Sequence, residues 1–163
     1  MRAAIITISN SVAAGTSEDR SGSALAAHAQ AAGATVTTTR TVPDERAAIE
    51  AALRALSSGA EAVDLIFTTG GTGLTPDDVT PEATRAVIDR DAPGFAEAMR
   101  TESLRHTPMG ILSRGVSGVA GRTLIVNFPG NPKAIDELFG VIAPVLGHAV
   151  ATLGREGGRS AGH

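Results

Sequence analysis

Apolar positions recur along this chain in two rhythms, one near-continuous or alternating, the other helical. "AAIITIS" (Ala3–Ser9) is apolar and β-branched, the pattern of a strand buried on both faces. The polar stretch "NSVAAGTSEDRSG" after it reads as a loop. Ser21–Gly33 is alanine-rich and stops on glycine, which predicts a helix. Ala34–Val42 alternates and is rich in Thr and Val, so a second strand is expected. "PDERAAIEAALRALSSG" places Ala48, Ile49, Ala52, Leu53 and Leu56 at helical spacing, with Asp44 positioned to cap its start. Asp64–Thr69 is a third strand. Thr80-Pro81-Glu82 has the order of N-cap, first-turn proline and first-turn acid, and helices are expected over Pro81–Arg90 and Pro93–His106. Two short strands, Gly115–Val119 and Arg122–Asn127, flank a turn at Gly121. A last helix opens at Asn131-Pro132 with Ile135, Leu138, Phe139, Ile142, Val145 and Leu146 on one face, and Pro144 should kink it. The polar, glycine-rich residues Gly154–His163 read as a frayed, flexible tail.

Strands alternating with helices predict a three-layer αβα single domain, an α/β fold with a mostly parallel central sheet, over residues 1–153. No internal repeat or linker interrupts it. Ligands of such sheets sit beyond the carboxyl ends of the strands. Three polar loops fall there: after Ser9, after Thr69 and after Phe128.

Composition narrows the choice of chemistry. Of 163 residues, 42% are hydrophobic and 19% charged, enough apolar surface to bury a core. A net charge of −3 and only four aromatics, all Phe, argue against a nucleic-acid partner. Cysteine is absent, which excludes disulfides, thiolate zinc sites and cysteine nucleophiles, and a cytoplasmic setting is expected. No membrane span is expected, since no stretch reaches the roughly 18 apolar residues one requires. All but one of the 14 basic residues are Arg, so single arginines read as composition, while Lys133 stands out.

The densest chemistry lies in "TTGGTGLTPDDVTPEAT" (Thr68–Thr84). Gly70-Gly71-Thr72-Gly73 can turn backbone N–H groups toward an anion, with the hydroxyls of Thr69 and Thr72 beside them. It is neither a P-loop, since no Gly-Lys-Ser/Thr follows, nor a dinucleotide fingerprint, since Pro76 stands where the third glycine belongs. On the residues alone, a plain tight turn fits equally well. Asp77-Asp78 could hold Mg²⁺ beside bound phosphates, or could be a solvated loop pair. Asp44 reads first as a helix cap. "NFPGNPKA" (Asn127–Ala134) puts Pro129, Gly130, the capping Asn131 and the point charge of Lys133 at a helix N-terminus, a setting that also suits an anion. Ser113-Arg114 reads as solvated loop. His28, His106, His148 and His163 are scattered and form no metal pattern, and there is no Gly-x-Ser-x-Gly elbow.

Taken in order, "TTGGTG", "DVTPEAT", "PGF", "LSRGVSGVAG" and "PGNPKA" resemble the molybdenum cofactor biosynthesis proteins of the MogA/MoaB type, over nearly the whole chain, about Ala4 to Leu153. The resemblance implies a molybdopterin-binding-domain fold. For the MogA type it implies a molybdopterin adenylyltransferase, which moves AMP from ATP to the terminal phosphate of molybdopterin with Mg²⁺ and releases pyrophosphate. It implies a homotrimer and hand-over of the product to the molybdate-insertion enzyme. It makes Asp44 and Asp78 the catalytic acids, with Asp78 on the metal; Asp44, or Asp77 from its own chemistry rather than from the resemblance, could add a further ligand. Ser9, Asn10, Thr69, Gly70–Gly73, Ser113, Pro129, Gly130, Asn131 and Lys133 would contact phosphate, pterin or nucleotide. The chain departs from the family pattern at Asp77, where Arg is frequent, and at Thr7-Ile8-Ser9-Asn10, where the pattern ends in Asp. The alternatives are a non-catalytic molybdopterin binder of the MoaB type, a regulatory oligomer with a vestigial pocket, or a relative of the molybdate-insertion domain.

Overall fold

Three strands of this chain are apolar on both faces, and the fold is the arrangement that covers both. In a computed structural model, which describes residues 1–154, β1 (Arg2–Ile8), β2 (Thr35–Val42), β3 (Leu65–Thr69), β4 (Arg90–Asp91), β5 (Ser117–Ala120) and β6 (Thr123–Phe128) form one sheet in the order β2-β1-β3-β6-β5-β4. The β2–β1, β1–β3 and β3–β6 pairs are parallel, and β5 and β4 run antiparallel at the far edge. The expected mostly parallel, three-layer α/β domain is what forms.

Alternate residues of the central strands feed two separate cores. On one face Ile5, Phe67, Val126 and Phe128 pack with α2 (Arg20–Ala31) and α6 (Pro132–Leu153), and α5 (Gly94–His106) packs on α6. On the other face Ile6, Ile8, Ile66 and Ile125 pack with α3 (Arg46–Ser57), which lies beside α4 (Thr80–Arg85). Three phenylalanines tie the first face together: Phe67, Phe128 and Phe139 have ring centroids 5.4 to 5.9 Å apart. His28 stacks on Phe139 and meets Asp136 at 2.7 Å, a packing role that agrees with its bland reading in the sequence.

Several boundaries differ from expectation, each through a contact distant in sequence. The polar stretch after β1 is not all loop. Its first residues form a short helix, α1 (Asn10–Ala13), with Ser9 as N-cap, and Asp19 caps α2 by accepting from the Gly22 N–H at 2.8 Å. Asp44 does not cap α3, which starts at Arg46 without a side-chain cap. Thr80 does not cap α4, because its hydroxyl is committed to the Gly70 carbonyl at 2.9 Å. The helix expected over Pro81–Arg90 ends at Arg85, since Arg90 and Asp91 pair with Val119 and Gly118. A 3₁₀ turn, Pro108–Leu112, follows α5 and has no periodic signal. Asn131 does cap α6, accepting from the Lys133 N–H at 3.0 Å. That helix runs unbroken through Pro144, and Val145 is exposed. By length and composition α6 could cross a membrane, contrary to the sequence reading, but Ile135, Leu138, Phe139, Ile142 and Leu146 are buried within the domain. The tail expected at 154–163 lies, apart from Gly154, outside the described residues.

Phe139 sits where α6 meets two strands whose ends carry site loops. Phe139→Ala should cost about 3–5 kcal/mol in urea denaturation. A loss below about 1 kcal/mol would mean that the aromatic cluster does not anchor α6.

Candidate active site

The parallel strands β1, β3 and β6 end side by side, and their following loops converge. β1 leads on to β2 on one side and lies against β3 on the other, so the crevice opens where the strand order reverses. Gly70 and Gly71 follow β3 directly with φ of +99° and +63°. A side chain on Gly70 would collide with the Ile8 carbonyl, and one on Gly71 with the Thr80 hydroxyl. Gly130, in the loop after β6, approaches Gly70 so closely that its Cβ would lie 3.4 Å from the Gly70 Cα. Loop closure is completed by Gly70 N–H donating to Phe128 O at 3.2 Å and by the Thr69 hydroxyl donating to Pro129 O at 2.9 Å.

The carbonyls of the glycine loop are nearly all spoken for. Gly70 O accepts from the Thr80 hydroxyl, and Gly71 O from the Thr80 N–H at 3.1 Å. Thr72 O accepts from the Arg114 N–H at 2.8 Å, and Gly73 O from Arg114 Nε at 2.7 Å. The N–H groups of Gly71 and Thr72 have no acceptor among the described residues. Thr72 is only 6% exposed, and an N–H on so buried a residue calls for a water or a ligand.

The two aspartates singled out by the sequence flank this loop. Asp44 pairs reciprocally with Asn10: the Asn10 N–H donates to Asp44 Oδ2 at 2.9 Å, and the Asp44 N–H to Asn10 Oδ1 at 2.9 Å. It thus satisfies a first-turn N–H of α1 rather than of its own helix, and it lies beside Gly71. Asp78 lies against Gly73 and closes a turn, its Oδ2 accepting from the Thr75 N–H at 2.9 Å and the Thr75 hydroxyl at 2.7 Å. Burial pushes the Asp78 carboxyl up. The Thr75 and Gly73 hydrogen bonds and the nearby Arg114 charge more than offset this, so it lies below the ordinary aspartate value. Asp77 is exposed and makes no hydrogen bond among the described residues.

Two cavities border the loop. One, of about 260 Å³, has Met99, Met109, Leu112 and Leu138 for apolar walls, with Thr72, Gly73, Ser113, Pro129 and Asn131 at its polar side. The other, of about 310 Å³, is lined by Thr7, Ser9, Ser11, Thr69, Gly70 and Gly130. Nine of the expected site residues divide between these hollows, Thr72, Gly73, Ser113, Pro129 and Asn131 lining the first and Ser9, Thr69, Gly70 and Gly130 the second, whereas Asn10, Asp44, Gly71, Asp77 and Asp78 line neither. Lys133 stands apart: its side chain is 82% exposed and its nearest carboxylate is Glu137 at 3.9 Å. Among the described residues no three His, Asp or Glu side chains converge as a metal cage. One or two carboxylates do suit Mg²⁺ when phosphate oxygens and waters complete its shell.

Arg114 is the residue that sequence reasoning passed over as solvated. Its Nη2 donates to Asp78 O at 2.6 Å and its Nη1 to Glu82. The Arg114 hydrogen bond, outweighing partial burial, holds the Glu82 carboxyl below the usual glutamate range. Asn127 carries no role that the sequence alone assigns. It is buried and joins Thr68, Thr84 and the Val116 N–H. Neither role leaves a local signal, because every partner except Val116 is more than 30 residues away.

The sequence matches the family described as "Probable molybdopterin binding domain" over residues 4–148. It is 50% identical over 99 residues to the molybdopterin adenylyltransferase of Haemophilus influenzae, which covers 61% of this chain and 50% of that protein. Among solved structures, the molybdopterin biosynthesis enzyme MoaB of Thermus thermophilus superposes with a TM-score of 0.86 at 46% identity, covering 93% of this chain and 95% of that one. The molybdopterin biosynthesis Mog protein of Mycobacterium ulcerans does so at 0.85 and 41%, covering 93% and 97%. The chain spans 19% to 61% of the length of the curated relatives it matches.

Asp44→Ala removes one helix-end acceptor and should cost about 1 kcal/mol in denaturant, a loss that an unchanged midpoint would rule out. Asp78 and Glu82 both lie below their ordinary values. Their stabilisation is present above the unfolded values, near pH 4, and is lost as pH falls through the folded ones. Between about pH 5 and 2 the wild type should lose more stability than Glu82→Gln. Parallel pH curves for the two would contradict the assigned Glu82 contact.

Proposed function

From the premise that this chain belongs to the molybdopterin-binding domain family, we propose that it is a molybdopterin adenylyltransferase of the MogA type. The observation that carries the reading is the glycine loop, with carbonyls tied back, two N–H groups unpartnered among the described residues, and Asp44 and Asp78 at its flanks. Adenylyl transfer must bring together two polyanions, and this arrangement opposes that repulsion with fixed dipoles and carboxylates able to take a cation. The two cavities sharing one loop give each of two substrates its own hollow and a common place for their phosphates.

The terminal phosphate oxygen of molybdopterin attacks the α-phosphorus of ATP, and the bond to the β-phosphate oxygen breaks to release pyrophosphate. The nucleophile is already ionised, so no histidine base is needed. The loop N–H groups hold phosphate oxygens, and the hydroxyls of Ser9, Thr72 and Ser113 orient the substrates around them, while the buried Thr69 hydroxyl fixes the loop through Pro129 O. Asp78, kept ionised by its surroundings, and Asp44 would hold Mg²⁺, with Asp77 in reserve at the loop edge. An ion held there would supply positive charge to offset that of the phosphates. Most of the acceleration then comes from positioning. We further propose a homotrimer, a cytoplasmic location and hand-over of adenylyl-molybdopterin to the molybdate-insertion enzyme.

A second reading, a MoaB-type molybdopterin binder without transfer, is favoured by the 46% identity to the Thermus thermophilus enzyme named MoaB. Incubation with molybdopterin, Mg²⁺ and ATP labelled on the α-phosphate separates the two. Label should move onto the pterin, and Asp78→Asn should lower turnover about a hundredfold or more with the fold retained. Pterin binding without label would establish the second reading, and wild-type turnover in the mutant would remove Asp78 from the mechanism.

A further inference from the structure

An anion loop needs its carbonyls held away from the anion as much as it needs its N–H groups free. In this chain that holding converges on one side chain outside the loop. Arg114 reaches Gly73 O through Nε, Asp78 O through Nη2 and Glu82 through Nη1, while its own N–H holds Thr72 O. Four contacts thus fall on residues 72–82 from a residue 32 or more positions away. Three separate acceptors lie at the three nitrogens of one planar fork, which an ammonium group could not reproduce. Glu82 completes the arrangement from the first turn of α4, so the helix and the loop are held by the same guanidinium.

We propose that Arg114 is the positioning residue of the glycine loop, clamping the carbonyl side of residues 72–78 and thereby fixing the geometry in which the loop meets an anion. The identity of the anion rests on the adenylyltransferase reading, whereas the clamp stands on the contacts alone. Asp78 is held at both ends, its carbonyl by Arg114 and its carboxylate by Thr75. Its side chain therefore cannot swing away without breaking one of the two. Arg114 touches no reacting atom in this scheme and acts through Gly73 and Asp78.

The test uses the full chain carrying Arg114→Ala or Arg114→Lys, read by amide hydrogen exchange and by calorimetric titration with inorganic pyrophosphate and Mg²⁺. In Arg114→Ala, amides of 70–79 should exchange about tenfold faster or more, as expected for losing charge-assisted bonds, while β1 and α6 keep wild-type rates. Pyrophosphate affinity should fall by a similar factor. The lysine variant should recover part of both losses, and added millimolar methylguanidinium should restore some binding to the alanine variant. Unchanged exchange in 70–79, or a uniform rise over the whole domain, would overturn the clamp. If the alanine variant does not fold, the lysine variant is judged by the same localisation. If the loop loosens as expected but wild type binds no pyrophosphate, the clamp holds and the phosphate-transfer reading fails.

Discussion

A peptide loop presents as many carbonyl oxygens as N–H groups, so it attracts phosphate only when its carbonyls are engaged elsewhere. That constraint governs the whole carboxyl edge of this sheet. Thr80 takes the carbonyls of Gly70 and Gly71, and Arg114 those of Thr72, Gly73 and Asp78. What remains of the loop is an N–H face between two carboxylates and two cavities. Each tether comes from a different element, one from α4 and one from the segment before β5. The site therefore exists only in the assembled domain.

The rest of the fold holds those elements in register. Two cores, one on each face of β1, β3 and β6, keep the three strand ends level, so the loops at Ser9, Gly70 and Pro129 can touch. The absence of Cβ atoms at Gly70 and Gly130 lets two of those loops meet at backbone distance. Polar knots extend the same order into the interior: Asn127 joins β3, α4 and Val116 just before β5, and Thr7 donates to Asp19 at 2.7 Å across the loop after β1. Buried polar groups of this kind are costly unless paired, and these are paired.

Much of this could be read from the sequence, because near-continuous apolar strands, helical spacing and proline or glycine punctuation are local. Apart from α1 and β4, the strand and helix order emerged as expected, as did the Asn131 cap and the Gly121 turn. The glycine loop and both flanking aspartates were visible as motifs, and the fold sets Asp44 beside Gly71 and Asp78 beside Gly73. What escaped was set by tertiary contacts. Asp44 serves α1 rather than α3, Thr80 serves a carbonyl rather than its own helix, and Arg90 pairs as a strand because Val119 lies opposite. Arg114 was hidden by composition: in a chain whose cations are nearly all arginine, one more carried no signal. Lys133 stood out for the opposite reason, its rarity, and the structure shows its side chain exposed with Glu137 at 3.9 Å.

On the adenylyltransferase reading, phosphate meets the backbone at Gly71 and Thr72. Amide chemical shifts of the ¹⁵N-labelled protein, followed while a non-hydrolysable ATP analogue is added with Mg²⁺, test it most directly. The N–H resonances of Gly71 and Thr72 should move first and farthest, as expected for amides gaining a charged acceptor, with smaller shifts at Gly73 and Gly130. Saturable binding that leaves Gly71 and Thr72 unmoved would contradict the account and place the phosphate site elsewhere on the domain.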